Sequence, residues 1–554
     1  MVRTGIAAAV TFVLAFVVAF AVMFIATAGI AHADETSPTD KLRILYSTRF
    51  TFTEDGLPLI TVEIMGKRKD VRLRARGGLL VRPDGAGGAA IESDAGEAWT
   101  ITAENTRPAV IHDWTVVETF TPEDTAGIAA SLARWRARGF DPRAFEIGTV
   151  FGVDGEVIDT RETRVAIDPV PRGKGAARAA EHARRYGVPT VVHQELVRRP
   201  SGTIVARAGG TTIRNPSVLW FTPKKATETV TVEDVPTGTG GSQLQTGIED
   251  RRYWGAVYVT LDHDGLLLAA NAVPEDKLLA GLVPAEIYPD APPAALEAQA
   301  IAARTELLEK IGRRNLTDPF LLCSTQQCQV YAGAGKEDPR TTKAVQKTRG
   351  IVLIRDGGGL VDVRYSASCG GHTEDNEAIW GGEPDPSLRG RSDDPKAGVS
   401  RVTDRNLGAF LDGGEHAWCA RGKHGKRHFR WTERIAASEL SARIAASYPA
   451  VGRVQKLVPK QRGVSGRVRV LAIHGDRGTA EVSGDLAIRR LLGGLRSTLF
   501  DVEKQGDAFV FRGAGFGHGV GMCQTGAIGM ATAGKSHAEI LQHYYRGTHL
   551  HRLY

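Results

Sequence analysis

An α+β fold is what this 554-residue sequence predicts, β-rich in its N-terminal part and mixed α+β beyond it. Three observations carry the prediction. Short runs of alternating apolar and polar residues, split by turn residues, fill the first part. A strand-helix-strand-strand rhythm follows at residues 116–167. Past residue 270 the apolar spacing changes to three- and four-residue steps, the period of helices.

The N-terminus comes first. Arg3 precedes an uncharged apolar run from Gly5 to Ile30, and Ala31-His32-Ala33 follows, a small-x-small exit. That pattern describes an export signal over residues 1–33. The run is also long enough to span a bilayer. The segment is therefore either removed after Ala33 or kept as an N-terminal membrane anchor. In both cases the bulk of the chain lies outside the cytoplasm, in the periplasm or cell envelope, or secreted.

Residues 40–236 read as a β-rich region. The runs 42–46, 59–64 and 71–75 alternate, and Glu54-Asp55-Gly56 separates two of them, as in antiparallel sheets with one wet face. A strand at 118–120 leads to a helix over 126–139, with Ile128, Leu132 and Trp135 on one face and Gly139 as its stop. Strands at 145–151 and 156–167 are joined by Asp154-Gly155, a hairpin signal. This unit, 116–167, resembles half of a SPOR-type module, a fold that binds peptidoglycan glycan. The Gly/Ser/Thr-rich stretch that starts at Thr237 reads as a linker over 237–250.

The second region spans 251–554. A hairpin crosses Asp264-Gly265. Pro274-Glu275-Asp276 opens a helix carrying Leu278, Leu279, Leu282 and Val283, which Pro284 is expected to end or bend. A second helix starts near Pro293, with Leu296, Ala300, Ala303, Leu307 and Ile311 as its stripe and Gly312 as its stop. Glu297, Gln299 and Arg304 fall off the stripe. The break between the helices presents Glu286 among Leu282, Val283, Ile287 and Tyr288. An apolar wall disfavours the charged form of a carboxylate, which keeps a general acid protonated near neutral pH. Glu297 is the rival carboxylate, in a less apolar setting. At the chain end Ser536 and Glu539 form a capping box, Ile540, Leu541 and Tyr544 a stripe, and Gly547 a stop.

Hydrophobic residues make up 42% and charged residues 24%, ordinary for globular chains, and the net charge is +7. The charge is modest for this length, and no basic helix is interleaved with aromatics, so a nucleic-acid binder is excluded. Membrane contact is confined to the N-terminal segment. Five cysteines leave one over in any disulfide pairing: Cys323, Cys328, Cys369, Cys419 and Cys523. Cys323 and Cys328 form a C-x₄-C arm and Cys369 and His372 a C-x₂-H arm, spacings that suit structural zinc. Disulfides between Cys323 and Cys328 and between Cys369 and Cys419 fit an exported chain equally. Cys419, His424 and His428 are substitute ligands, although 421–430 reads better as a basic surface loop. Cys523 reads as a small buried residue.

Three blocks then carry a resemblance to the SpoIID/LytB family of exported peptidoglycan-acting proteins. They are residues 282–305, the pair 328–333 with 365–374, and 515–524, whose last block reads GFGHGVGMCQ. The resemblance spans residues 257–554. It implies cleavage of peptidoglycan glycan strands by a lytic transglycosylase, with Glu286 as the one catalytic carboxylate. The departure is Ile287-Tyr288, where the family commonly has Met-Pro. The substrate contacts expected with it are His518, Gln524 and Arg304; for His518 a hydrogen-bonded structural role at a tight turn is the other reading. The family also implies a rival of another class, a non-catalytic glycan-binding activator of a cell-wall amidase.

Overall fold

The strand Asp70–Ala75 shows the rule that builds the N-terminal half. Val71, Leu73 and Ala75 face inward, while Asp70, Arg72 and Arg74 face solvent. The computed structural model describes residues 45–47, 51–83, 89–153, 156–237, 247–324, 331–396 and 398–554. The export segment 1–33 lies outside the described residues. Among them no helix is long and apolar enough to cross a membrane.

Two antiparallel sheets share one core. The six-stranded sheet runs in the order Thr211–Asn215, Ser201–Ala208, Ala98–Arg107, Asp70–Ala75, Val230–Thr237, Gly247–Tyr253. The seven-stranded sheet has Leu267–Pro274 and Ala256–Leu261 in its interior. Those two strands are buried at every position except Pro274. Trp99 of one sheet meets Phe221 of the other at 6.5 Å between ring centres. The helix Glu275–Glu286 packs on Pro58–Arg68 and Leu267–Pro274, so that sheet is covered on a second face.

The stretch 237–250 does not separate two folding units. Val230–Thr237 pairs antiparallel with Gly247–Tyr253, with Thr237 opposite Gly247. Residues 238–246, between these two paired strands, lie outside the described residues. The seven-stranded sheet takes strands from both sides of it, and Ile44–Tyr554 forms one compact unit. Gly and Ser content reports backbone freedom, which a hairpin loop and a linker share.

The unit expected at 116–167 is one half of a larger module. Its strands order as Val191–Arg198, Val110–Phe120, Glu162–Pro171, Arg143–Ile147, and the helices Thr125–Ala137 and Gly175–Tyr186 join them. This is the β-α-β-β-α-β ferredoxin-like arrangement. The expected hairpin is present as Val150–Val153 paired with Glu156–Asp159, with 154–155 outside the described residues.

In the C-terminal half Ile351–Arg355 pairs with Thr548–Arg552, and Tyr365–Ser366 pairs in parallel with Met522–Cys523. Between these partners sits a body with its own core, including Leu440, Ile444, Leu471, Phe509 and Phe511. Two three-stranded sheets and the helices Ala437–Ser447 and Asp485–Leu491 build it. The capping box at Ser536 and Glu539 is formed on the helix His537–Tyr544.

Candidate active site

Glu286 is the last residue of the helix Glu275–Glu286. The helix runs through Pro284 and ends two residues later than proline chemistry alone predicts. Ile287 then turns extended, and its N–H donates to the Val283 carbonyl at 3.1 Å. Leu282, Val283 and Ile287 point into the core, while Glu286 is only partly buried. The sequence thus anchors the apolar neighbours and leaves the Glu286 side chain partly exposed.

The segment after Glu286 is clamped from across the fold. Tyr288 stacks on His424 at 3.8 Å between ring centres, and its hydroxyl lies 3.1 Å from Nε2 of His428. Asp290 accepts from Lys423 at 2.6 Å and His424 at 2.8 Å, which holds its carboxyl down at about 2. Residues 421–430 are therefore not a loop: Gly422–Phe429 is a helix docked on the Glu286 segment.

Opposite Glu286 lies the strand pair of Tyr365–Ser366 with Met522–Cys523. Burial, then the nearby Glu286 and Glu306 carboxylates, push the Tyr365 phenol well above its usual range. Glu306 is buried, ion-paired with Lys310 and 3.6 Å from Arg364. His518 hydrogen-bonds the backbone of Tyr365, and its Nδ1 accepts from the Val520 N–H at 3.0 Å. An Nδ1 that accepts leaves Nε2 as the protonated nitrogen of a neutral ring. The glycines around His518 are demanded by close approach. A Cβ on Gly519 would meet the Arg467 guanidinium at 2.3 Å, and one on Gly521 the Arg364 carbonyl oxygen at 2.0 Å; both have φ near +70 to +80°. Gln524 donates to Gln299 at 3.2 Å, tying its helix to Pro293–Lys310.

Burial, with Arg467, Arg364 and Arg489 nearby, lowers the His518 pKa from 6.5 to about 3. Between these values the unfolded chain binds a proton that the folded chain refuses, so stability falls as pH drops through that window. Above pH 6.5 this contribution is fully present. Thermal unfolding at pH 7 and pH 4.5 is expected to show a larger acid loss for wild type than for His518→Asn.

Arg304 is elsewhere. It is fully buried, with Nε 2.6 Å from Glu275 and Nη1 2.7 Å from the Thr348 carbonyl and 3.2 Å from that of Ile351. A substrate cannot reach it, so the contact expected of Arg304 is corrected to a core ion pair. The helix Pro293–Lys310 is buried all round, with Glu297 at 5% and Gln299 at 0% exposure, so off-stripe does not mean exposed.

The expected zinc set is likewise redistributed. Cys323 is in a disulfide, and Cys328 lies outside the described residues. The His372 ring nitrogens face the Thr373 and Ser400 carbonyls at 2.7 and 3.2 Å. Cys369 instead meets Cys419, Cys523 and Asp393, all buried, with ligand atoms within 4.8 Å of one another. The Cys369 and Cys419 sulfurs are 3.6 Å apart and both thiols are free, as is that of Cys523. Cys523 accepts from the N–H groups of Cys369 at 3.1 Å and Gly526 at 3.3 Å. Asp393 accepts from the Cys419 N–H and the Tyr544 hydroxyl, each at 2.8 Å. Three sulfurs and a carboxylate fit a tetrahedral zinc, whose bonds of about 2.3 Å set sulfurs roughly 3.8 Å apart. This cluster can hold a metal such as zinc.

Comparison with known proteins matches two parts of this half. The family described as "Stage II sporulation protein" (SpoIID) matches residues 263–354, and "Domain of unknown function (DUF8618)" matches 374–521. An uncharacterized protein of Brachyspira hyodysenteriae is 28% identical over 301 residues, 54% of this chain and 72% of that one. The "Amidase enhancer" of Bacillus subtilis is 28% identical over 291 residues, 49% of this chain and 40% of that one. A "Stage II sporulation protein D" of Bacillus amyloliquefaciens is 27% identical over 308 residues, 52% of this chain and 76% of that one.

Proposed function

We propose that this chain, which carries a SpoIID domain and is distantly homologous to SpoIID and amidase-enhancer proteins, is an exported peptidoglycan lytic transglycosylase with Glu286 as its acid and base. The observation that carries the reading is one partly exposed carboxylate, close enough to Tyr365 for its charge to act on the phenol. The other carboxylate that acts on Tyr365, Glu306, is buried in an ion pair. Ordinary glycosidases place a second carboxyl group about 5–9.5 Å away to serve as nucleophile or base. A lytic transglycosylase needs one group only. Glu286 gives its proton to the glycosidic oxygen as the bond from C1 breaks. The resulting carboxylate takes the proton of the muramic acid 6-hydroxyl as that oxygen bonds to C1. A 1,6-anhydro ring forms, water is not consumed, and Glu286 ends protonated as it began.

The setting agrees with the chemistry. The export pattern of residues 1–33 would deliver the chain to the cell wall, and the ferredoxin-like module would supply a second hold on glycan. The clamp of Tyr288 and Asp290 by the helix Gly422–Phe429 fixes the Glu286 segment, and fixed geometry is what general acid catalysis requires. The test is digestion of peptidoglycan, with and without stem peptides, by protein lacking residues 1–33, with products read by mass spectrometry. Anhydro-muramyl ends are expected. Retained glycan binding without such ends would leave the amidase-activator reading, which the similarity to an amidase enhancer favours, as the better one.

The metal at Cys369, Cys419, Cys523 and Asp393 is assigned as structural zinc. It would join the 365–374 and 515–524 blocks through Cys369 and Cys523, and so hold the strand pair that carries Tyr365. Elemental analysis should find about one zinc per chain. Cys419→Ser should lose it, and chelation should lower the unfolding temperature. A metal-free protein of unchanged stability would reject the assignment.

A further inference from the structure

Trp380 is the feature of this surface that the catalytic reading leaves without a role. Its side chain is 54% exposed, although burying an aromatic of this size is worth about 1.5–3 kcal/mol. It is not exposed because its segment is loose. It closes the short helix Asn376–Trp380, which Gly381 ends at φ 73°. Arg389 holds Glu377 with two contacts of 2.7 and 2.8 Å and Asp375 with one of 2.7 Å. Asn376 donates to the Glu383 carbonyl at 2.8 Å and accepts from the Asp385 N–H at 2.9 Å. Asp375 accepts from the Gly390 N–H at 2.7 Å. The indole is therefore presented on a rigid mount.

The mount places it against His518 and Arg364, beside the strand pair that carries Tyr365. The indole lies 4.9 Å from the His518 ring, and the Arg364 guanidinium sits 5.5 Å over it. His518 bonds the backbone of Tyr365, the residue whose phenol feels Glu286. The ring is thus flanked by the His518 imidazole and the Arg364 guanidinium, and about half of the residue's surface still faces water. A flat apolar plate with polar groups at its edge matches the C–H face of a pyranose, whose hydroxyl and acetamido groups lie around its rim. We propose that Trp380 is a sugar-stacking subsite that seats one N-acetylhexosamine of the glycan strand beside Glu286. The plate rests on the glycan-cleaving reading, and it adds to it the group that sets which sugar reaches the acid. His518, in this arrangement, braces the indole and Tyr365 together rather than meeting the scissile bond itself.

The test separates the two readings by working in a Glu286→Gln background, where binding is measured without turnover. Glycan strands freed of stem peptides are titrated by calorimetry, and tryptophan emission is followed in parallel. Adding Trp380→Ala should weaken binding about tenfold, the scale of one aromatic contact, while Trp380→Phe should hold it within about threefold. The emission change on binding should vanish in the Trp380→Phe protein. The position is solvent-facing, so both variants should keep the parent's unfolding temperature. Equal binding by the alanine variant, with the parent still binding, would overturn the subsite and leave the transglycosylase reading intact. No binding by the Glu286→Gln parent, together with no anhydro product from wild type, would overturn both.

Discussion

Glu286→Gln is expected to lower anhydro-muramyl formation by about 10²–10⁴-fold, the usual worth of a positioned general acid and base. Glutamine keeps the length, shape and polarity of the side chain, and the helix end at Ile287 does not depend on the carboxyl group. What it loses is the proton. Without it the leaving oxygen departs as an alkoxide, and no carboxylate remains to accept the 6-hydroxyl proton. Binding should change little, because the Trp380 plate and the clamp of the 422–429 helix on the Glu286 segment remain. Glu286→Asp makes a sharper point. It keeps the proton and withdraws it by one methylene, and a misplacement of about 1 Å costs on the order of 10²-fold. A ranking of wild type over Asp over Gln, measured as anhydro ends released per minute, would show both that the group is an acid and that its reach matters. Equal rates for wild type and Gln would remove Glu286 from the chemistry, whatever the glycan affinity.

Sequence patterns single out this carboxylate as a candidate because three local signals converge there: an apolar helix, a proline pair and a following helix. Local signals also found the helix Pro293–Lys310, the hairpin at 264–265 and the capping box at Ser536, each set by residues within a few positions of one another. What they could not show is which distant segments meet. Asp393 joins Cys369, Cys419 and Cys523 across more than one hundred residues, and a lone Asp in a loop has no pattern that marks it. The C-x₂-H spacing at Cys369 and His372 was a genuine local match, yet the backbone turns His372 toward carbonyl oxygens. The same limit holds for the 237–250 stretch, where the pairing of Val230–Thr237 with Gly247–Tyr253 puts the described residues on both sides into one sheet. It explains the 421–430 segment as well. Its basic composition suits solvent, but Tyr288 and Asp290 give His424, His428 and Lys423 partners that only the fold brings near.

Arg304 tests the limit most directly, because its off-stripe position suggested a surface and the fold puts it in the core. Arg304→Gln should destabilise the protein by about 3–5 kcal/mol, the cost of leaving a buried charge without its partner. Glu275, with 0% exposure like Arg304, would be that charge. The carbonyls of Thr348 and Ile351 would lose their donor as well. The loss should fall on the junction of Glu275–Glu286, Pro293–Lys310 and Pro339–Lys347, since Arg304 ties all three. The double replacement Glu275→Leu with Arg304→Met removes both charges and should recover part of the stability, because apolar pairs of similar volume often replace buried ion pairs without penalty. It should not recover all of it, since the stranded carbonyls remain. Urea midpoints measure these differences. The discriminating readout is activity per folded molecule at low temperature. A core role leaves that activity near wild type for the double variant, whereas a substrate contact would be lost with the guanidinium regardless of how well the variant folds.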